Sequence, residues 1–114
     1  MNSTFRNCSK LNFVDLSSFN TDNLVSMSDI FKGCISLTSI YFGNINTENV
    51  IYMNNMFDSC SNLKAIDFRN FKTDNAISMR YMFYGCSSLI SLDLSKFNTT
   101  NVMYLIECLV VAQT

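Results

Sequence analysis

The chain has 114 residues, of which 48% are hydrophobic and 15% are charged. This length and composition suffice for one domain with a buried core, and they exclude an intrinsically disordered chain. Eight lysines and arginines stand against nine acidic residues and are scattered along the sequence. That distribution does not favour binding to nucleic acid or to an anionic membrane.

Neither a signal peptide nor a membrane span is predicted in this chain. Residues 1–20 lack a charged segment followed by an apolar one, which is the pattern of a signal peptide. The longest apolar run lies between Val102 and Ala112 and is interrupted by Glu107. It is shorter than the roughly 18 apolar residues that a membrane-spanning helix needs.

An interval of 26 residues organises the whole sequence. It relates Phe5, Phe31, Phe57 and Phe83, and likewise Cys8, Cys34, Cys60 and Cys86, with leucine, threonine and asparagine repeating at the same spacing. A fixed period with apolar columns predicts coils that stack and bury a shared core. We therefore predict a single repeat domain over residues 1–114. Its periods begin near the four phenylalanines, and a partial, uncapped coil stands at each end.

The first half of each period predicts a short helix. Val50, Met53, Met56, Phe57 and Cys60 have the spacing of one helical face. The threonine before each such segment, as at Thr47, is the expected N-cap, and a following acidic residue favours the helix N-terminus. We expect a helix of roughly ten residues in each coil, and another over Asn101 to Ala112.

The second half of each period predicts a short strand with alternating apolar residues. The predicted strands are Phe13 to Ser17, Ser39 to Gly43, Ala65 to Arg69 and Ser91 to Ser95. Because every coil enters its strand from the same side, these strands are expected to pair in parallel. The predicted fold class is α/β: a leucine-rich-repeat-like solenoid of about four coils, with one short helix and one parallel strand per 26-residue coil.

The combined pattern resembles a known repeat family. One copy of the pattern runs from Met82-Phe83-Tyr84-Gly85-Cys86 through Leu89, Leu92 and Leu94 to Phe97-Asn98-Thr99. This is similar to the BspA-like leucine-rich repeat of bacterial surface proteins, over about residues 5 to 105. The resemblance implies a cell-surface or secreted location and a role in adhesion by binding a host or matrix protein.

The repeated asparagine and cysteine columns are most simply explained by structural roles. The asparagine column, Asn23, Asn49, Asn75 and Asn101, is expected to be a buried ladder in which each amide bonds backbone groups of its own and the adjacent coil. The cysteine column, Cys8, Cys34, Cys60 and Cys86, is expected to pack as small apolar side chains. Stacked thiols remain within the distance of a disulfide, and Cys108, outside the period, is the candidate for a free or intermolecular thiol.

No catalytic, metal or cofactor site is predicted. The sequence has no histidine, no C-x-x-C pair and no glycine-rich phosphate loop. The acidic residues Asp22, Glu48 and Asp74 are expected to stabilise the N-termini of the predicted helices. Because they would also stack, binding of calcium by their carboxylates is a minor alternative. We therefore predict a protein that is not an enzyme.

The outward face of the predicted strands carries the candidate binding residues: Asp15, Tyr41, Asp67, Arg69 and Asp93. These positions vary between coils while the apolar columns do not, which is typical of a scaffold with a variable binding face. Drift of solvated positions is the competing explanation. The predicted function is non-catalytic protein binding, and the alternative is a structural or self-associating spacer or a fragment of a longer array. Apolar Ile106, Val110 and Val111 in the predicted C-terminal helix favour self-association through that helix.

Overall fold

The structure, a computed structural model, describes residues 2–104. The chain winds into coils, and equivalent residues of successive coils pair in parallel. β1 spans Phe13–Asp15 and β2 spans Ser39–Tyr41. They form a parallel pair with Val14 opposite Ile40. On another side of the coils, parallel bridges join Ser26 to Tyr52, Tyr52 to Ser78, and Ser78 to Tyr104.

The prediction of one helix per coil is wrong, and with it the α/β leucine-rich-repeat-like solenoid. Residues 2–104 contain no helix, and β1 and β2 are the strands they form. That part of the chain accordingly has no helix long and apolar enough to cross a bilayer. The predicted C-terminal helix over Asn101 to Ala112 lies mostly outside the described residues.

The backbone hydrogen bonds explain why the predicted helices do not form. In an α-helix each N–H donates to the carbonyl four residues earlier. Here Asp29 N donates to Asn54 O at 2.9 Å and Phe31 N to Met56 O at 3.0 Å, so both bonds run to the next coil. Left-handed residues also interrupt the helical path. They recur at Ser3, Asp29, Asn55 and Tyr81, and at Asn7, Gly33, Ser59 and Gly85.

The apolar spacing identifies the inward face even though no helix forms. Met27, Ile30, Phe31 and Cys34 are all fully buried. Ile30 N donates to Met27 O at 3.4 Å and Cys34 N donates to Phe31 O at 3.0 Å, which makes the segment a series of tight turns. Successive turns point residues three or four apart in the same direction, as a helix does.

The predicted strands are fewer and shorter than expected. Ala65 to Arg69 and Ser91 to Ser95 are not strands, and the first two end at Asp15 and Tyr41. A carboxylate ends the extended segment in three coils, because Asp15, Asp67 and Asp93 each accept the backbone N–H two residues on, at 2.8, 3.0 and 2.9 Å. Such local side-chain bonds compete with strand pairing and turn the chain.

Stacked rings form the centre of the core. The rings of Phe5 and Phe31 lie 5.6 Å apart, those of Phe31 and Phe57 5.7 Å, and those of Phe57 and Phe83 5.8 Å, each pair nearly parallel. Phe68 meets the rings of Phe57 and Phe83 edge-on at 5.9 Å. Offset stacking and edge-on packing are the favourable geometries for aromatic pairs. The ring column therefore joins the coils into one core.

The threonine column has a different role from the predicted helix caps. Thr73 is buried, and its hydroxyl donates to Asn98 O at 3.0 Å and accepts from Asn98 N at 2.8 Å. A single side chain thus satisfies both backbone groups of a residue in the next coil. The interpretation as helix caps is wrong because the bonds run between coils.

Candidate functional site

A shallow cavity opens on the outward side of the coils where strand pairing stops after β2. We call it the strand-face pocket, with a volume of about 260 Å³. Its lining comprises Ile40, Tyr41, Phe42, Gly43, Asn44, Asp67, Arg69 and Asn70. β2 pairs with β1, whereas residues 65–69 of the next coil form no strand. The pocket lies between these two coils.

An ion pair lines the pocket on the side of the coil that follows β2. Arg69 Nε lies 2.8 Å from Asp67 Oδ2, and both side chains are largely exposed. The hydrogen bond from the Arg69 side chain, with the one from its backbone N–H, lowers the pKa of Asp67 below its ordinary value. The same contact raises the pKa of Arg69. Both groups are therefore charged over the whole physiological range.

The structure brings four of the five predicted binding residues together. Tyr41, Asp67 and Arg69 line the strand-face pocket. Asp93 lines a neighbouring cavity of about 110 Å³, which it shares with Asp67 and Arg69. Asp15 stands opposite Tyr41 in the β1–β2 pair but is not among the residues that line either cavity.

The repeated aspartates on this face have a structural role of their own. Hydrogen bonds from Ser17 lower the pKa of Asp15, and hydrogen bonds from Ser95 lower the pKa of Asp93. In both cases the side-chain bond has the larger effect and the backbone bond the smaller one. The turn that ends each extended segment thus accounts for the aspartate column. Tyr41 replaces aspartate in one coil and Arg69 replaces serine or glycine in another, so these two residues give the pocket its distinct chemistry.

Two asparagines of the pocket were not singled out by the strand pattern. Asn44 and Asn70 are equivalent residues of successive coils, and both line the cavity. Asn70 Nδ2 donates to Gly43 O at 3.0 Å and so ties the two coils together at the rim. They lie beyond the predicted strands, so alternation does not reveal them. Their common position in the repeat is the signal that would have found them.

The asparagine column lies on the surface and links coils. Asn49 Nδ2 donates to Asp22 O at 3.1 Å, Asn75 Nδ2 to Glu48 O at 2.8 Å and Asn101 Nδ2 to Asp74 O at 2.8 Å. All four asparagines of the column, Asn23, Asn49, Asn75 and Asn101, are exposed. The side-chain amides therefore link the coils at the surface and do not serve buried backbone groups.

The cysteine column is mostly buried, and its buried thiols resist ionisation. Cys8, Cys34, Cys60 and Cys86 are free thiols, and the last three are buried. Each buried thiol contacts a carbonyl oxygen of the preceding coil: Cys34 Sγ is 3.0 Å from Phe5 O, Cys60 Sγ 3.2 Å from Phe31 O and Cys86 Sγ 3.1 Å from Phe57 O. Burial raises the pKa of Cys34 to about 11 and that of Cys86 to about 12, and it also raises the pKa of Cys60. A thiol this hard to ionise is a poor nucleophile and a poor metal ligand. Cys108 lies outside the described residues.

Within residues 2–104, no three histidine, cysteine, aspartate or glutamate side chains converge as a metal site. Of the stacked acidic residues, Asp22 and Asp74 accept amide hydrogen bonds from Asn46 and Asn98, at 3.3 and 2.8 Å. The strand-face pocket offers a phenol, an ion pair and amides, which are groups that can form hydrogen bonds with a polar surface.

Comparison with known proteins gives a family and no activity. A protein-family model described as "Mycoplasma protein of unknown function, DUF285" matches residues 1–113. Neither the curated proteins nor the solved structures contain a match to this chain.

Proposed function

Since the chain belongs to the Mycoplasma family of unknown function DUF285, whose description assigns no activity, we propose its function from the geometry of the strand-face pocket. The protein is a non-catalytic protein-binding module, of the adhesion type that the resemblance of its sequence to the BspA-like repeat implies, and it acts at the cell surface or after secretion. Host or matrix proteins are the proposed partners.

The observation that carries this proposal is the convergence of Tyr41, Asp67 and Arg69 on one concave surface. Tyrosine and arginine are among the residues enriched at the energetic centres of protein interfaces. Tyr41 is 56% exposed, so a docked partner can still bury a large part of its surface. Asp67 and Arg69 can exchange hydrogen bonds with a partner backbone or with its charged side chains.

The rigidity of the scaffold supports the same function. The strand-face pocket stands on buried columns whose residues are nearly constant from coil to coil, whereas Tyr41 and Arg69 differ from the residues at the same positions in the other coils. Binding residues held on a packed framework lose little conformational entropy when a partner docks.

A charge-reversal experiment tests the proposal. The chain is immobilised, and binding of a panel of purified extracellular-matrix proteins is measured by interferometry. Asp67→Lys with Asp93→Lys is expected to abolish binding; since it also removes the turn bonds to Arg69 and Ser95, circular dichroism and thermal unfolding first establish that the variant is folded at the assay temperature. Glu48→Lys with Asp74→Lys makes the same change of net charge on another face and is the matched control. Unchanged binding by the first variant, or equal loss in both, would contradict a strand-face site.

One observation favours a structural spacer as the second candidate. Hydrogen bonds run from coil to coil at regular intervals, as from Gly33 N to Asp58 O at 2.8 Å and from Ser59 N to Tyr84 O at 2.7 Å. A stack bonded along its length is stiff enough to separate other domains. A spacer would bind none of the matrix proteins and would tolerate both charge reversals. Self-association through the predicted C-terminal helix concerns Ile106, Val110 and Val111, which lie outside the described residues.

A further inference from the structure

A second outward surface, on the side of the coils that carries the isolated bridges, presents a column of aliphatic side chains. The column comprises Val25, Ile51, Ile77 and Met103, one residue from each coil. Val25 is 47% exposed and Met103 72%, while the two isoleucines are half-buried. With Tyr52, Asn49 and Asn75, the isoleucines line a cavity of about 370 Å³. We call this surface the aliphatic groove.

The backbone beneath the aliphatic groove is already hydrogen-bonded. Ile51 N donates to Val25 O at 2.8 Å, Ile77 N to Ile51 O at 2.9 Å and Met103 N to Ile77 O at 2.9 Å. Recognition by strand addition needs free backbone groups. A ligand of this groove must therefore bind through side-chain contacts and must satisfy its own backbone, as a helix does.

The repeat of the groove also matches the repeat of a helix. Stacked strands are separated by about 4.8 Å, and one turn of an α-helix rises about 5.4 Å. A helix lying along the stack thus places about one apolar residue per turn over one residue of the aliphatic column. Four coils accommodate roughly three turns of such a helix.

Charge selects the kind of helix that fits. Asp22, Glu48 and Asp74 precede the aliphatic residues by three positions, are exposed, and form an acidic row beside the groove. Lys72 Nζ lies 4.0 Å from Glu48 Oε2, but both side chains are about 60% exposed, so this pair offsets little of the row's charge. A helix whose apolar stripe is flanked by lysine or arginine complements both the acidic row and the aliphatic column.

The other occupants fit less well. A second copy of this chain, docked through the same groove, would present an acidic row of its own and so lacks the complementary charge. Residues 105–114 contain Glu107 and no lysine or arginine, so they lack the complementary charge. We propose that the aliphatic groove docks a basic amphipathic helix of a partner protein.

The test uses defined peptides and the full chain. The probe is an 18-residue peptide of leucine and lysine, with leucines at helical spacing, and its binding is measured by titration calorimetry. One control peptide replaces each lysine by glutamate, and another replaces each leucine by serine. The groove requires both features, so we expect the first peptide to bind at least about tenfold more tightly than either control.

Variants then separate the groove from general attraction to an acidic protein. Glu48→Lys with Asp74→Lys is expected to weaken binding of the lysine peptide at least about tenfold, and Val25→Ser with Met103→Ser to weaken it as well. Asp67→Lys with Asp93→Lys, which alters the strand face by the same charge, is expected to change it less than about twofold. Equal losses in both charge-reversed variants, no binding of the peptide, or a dimer whose formation depends on Val25 and Met103 would overturn the proposal. Each of these outcomes leaves the matrix-protein test of the strand face unaffected.

Discussion

The hydroxyl of Thr47 bonds both backbone groups of Lys72. Thr47 Oγ1 donates to Lys72 O at 2.9 Å and accepts from Lys72 N at 2.8 Å. Thr47 is 1% exposed, so water cannot take over these bonds. This relationship shows how the stack is held: a buried side chain of one coil completes the backbone hydrogen bonding of the next.

Replacement of Thr47 by valine should therefore be costly although the two side chains have nearly the same shape. Thr47→Val removes two buried hydrogen bonds and leaves the N–H and C=O of Lys72 unpaired, which we expect to lower the free energy of unfolding by about 2–4 kcal/mol. Urea titration measures the effect. Thr100→Val, at an exposed threonine outside the column, is the control. A loss for Thr47→Val no larger than that of the control would contradict the role assigned to this column.

The asparagine column should contribute less than the threonine column because its bonds lie at the surface. Asn75→Ala removes the bond to Glu48 O, and we expect it to lower the free energy of unfolding by about 0.5–1 kcal/mol, with a lower melting temperature. Calorimetric melting of the variant beside Asn44→Ala, another exposed asparagine, gives the comparison. An unchanged melting temperature for Asn75→Ala would show that the asparagine column does not stabilise the stack.

The buried thiols predict a loss of stability at alkaline pH. The pKa of Cys34 is about 11 in the folded chain, against an ordinary value of 9.0. The folded state thus favours the neutral thiol, so this contribution is complete below pH 9 and is lost as the pH rises from about 9 to 11. Cys34→Ser keeps a donor for Phe5 O but does not ionise in this range.

Urea unfolding of both proteins between pH 8 and 11 tests this assignment. The free energy of unfolding should fall less steeply with pH in Cys34→Ser than in the original chain, because one thiol no longer ionises on unfolding. Parallel curves would show that Cys34 does not carry the effect.

The 26-residue interval was sufficient to predict which residues stack, since Phe31 and Phe57 face each other in successive coils. It did not predict the local backbone. The spacing of Met53, Met56, Phe57 and Cys60 records which side chains face inward, and both a helix and a series of tight turns satisfy it. The left-handed conformation at Asn55, where φ is 55°, has no apolar signature. The sequence pattern therefore could not show whether the backbone hydrogen bonds run within one segment or between coils.

The candidate site was predictable to a similar extent. Alternation along the strands indicates that Tyr41 and Asp67 point outward on neighbouring coils, and they line the same pocket. The pocket lies where residues 65–69 do not pair with β2 as a strand, and the sequence pattern does not distinguish this segment from β1, which has the same aspartate turn at Asp15. The aliphatic groove was overlooked because Ile51 and Ile77 are off the inward face, where single apolar residues are common.

The central claim is that hydrogen bonds between coils, not within a helix, hold both surfaces in place. Scalar coupling across hydrogen bonds, measured by NMR on isotope-labelled chain, tests it most directly. We expect coupling between the amide nitrogen of Phe31 and the carbonyl carbon of Met56, whose N and O atoms are 3.0 Å apart. Coupling of Phe31 to the carbonyl of Met27 instead, the α-helical partner, would contradict the account.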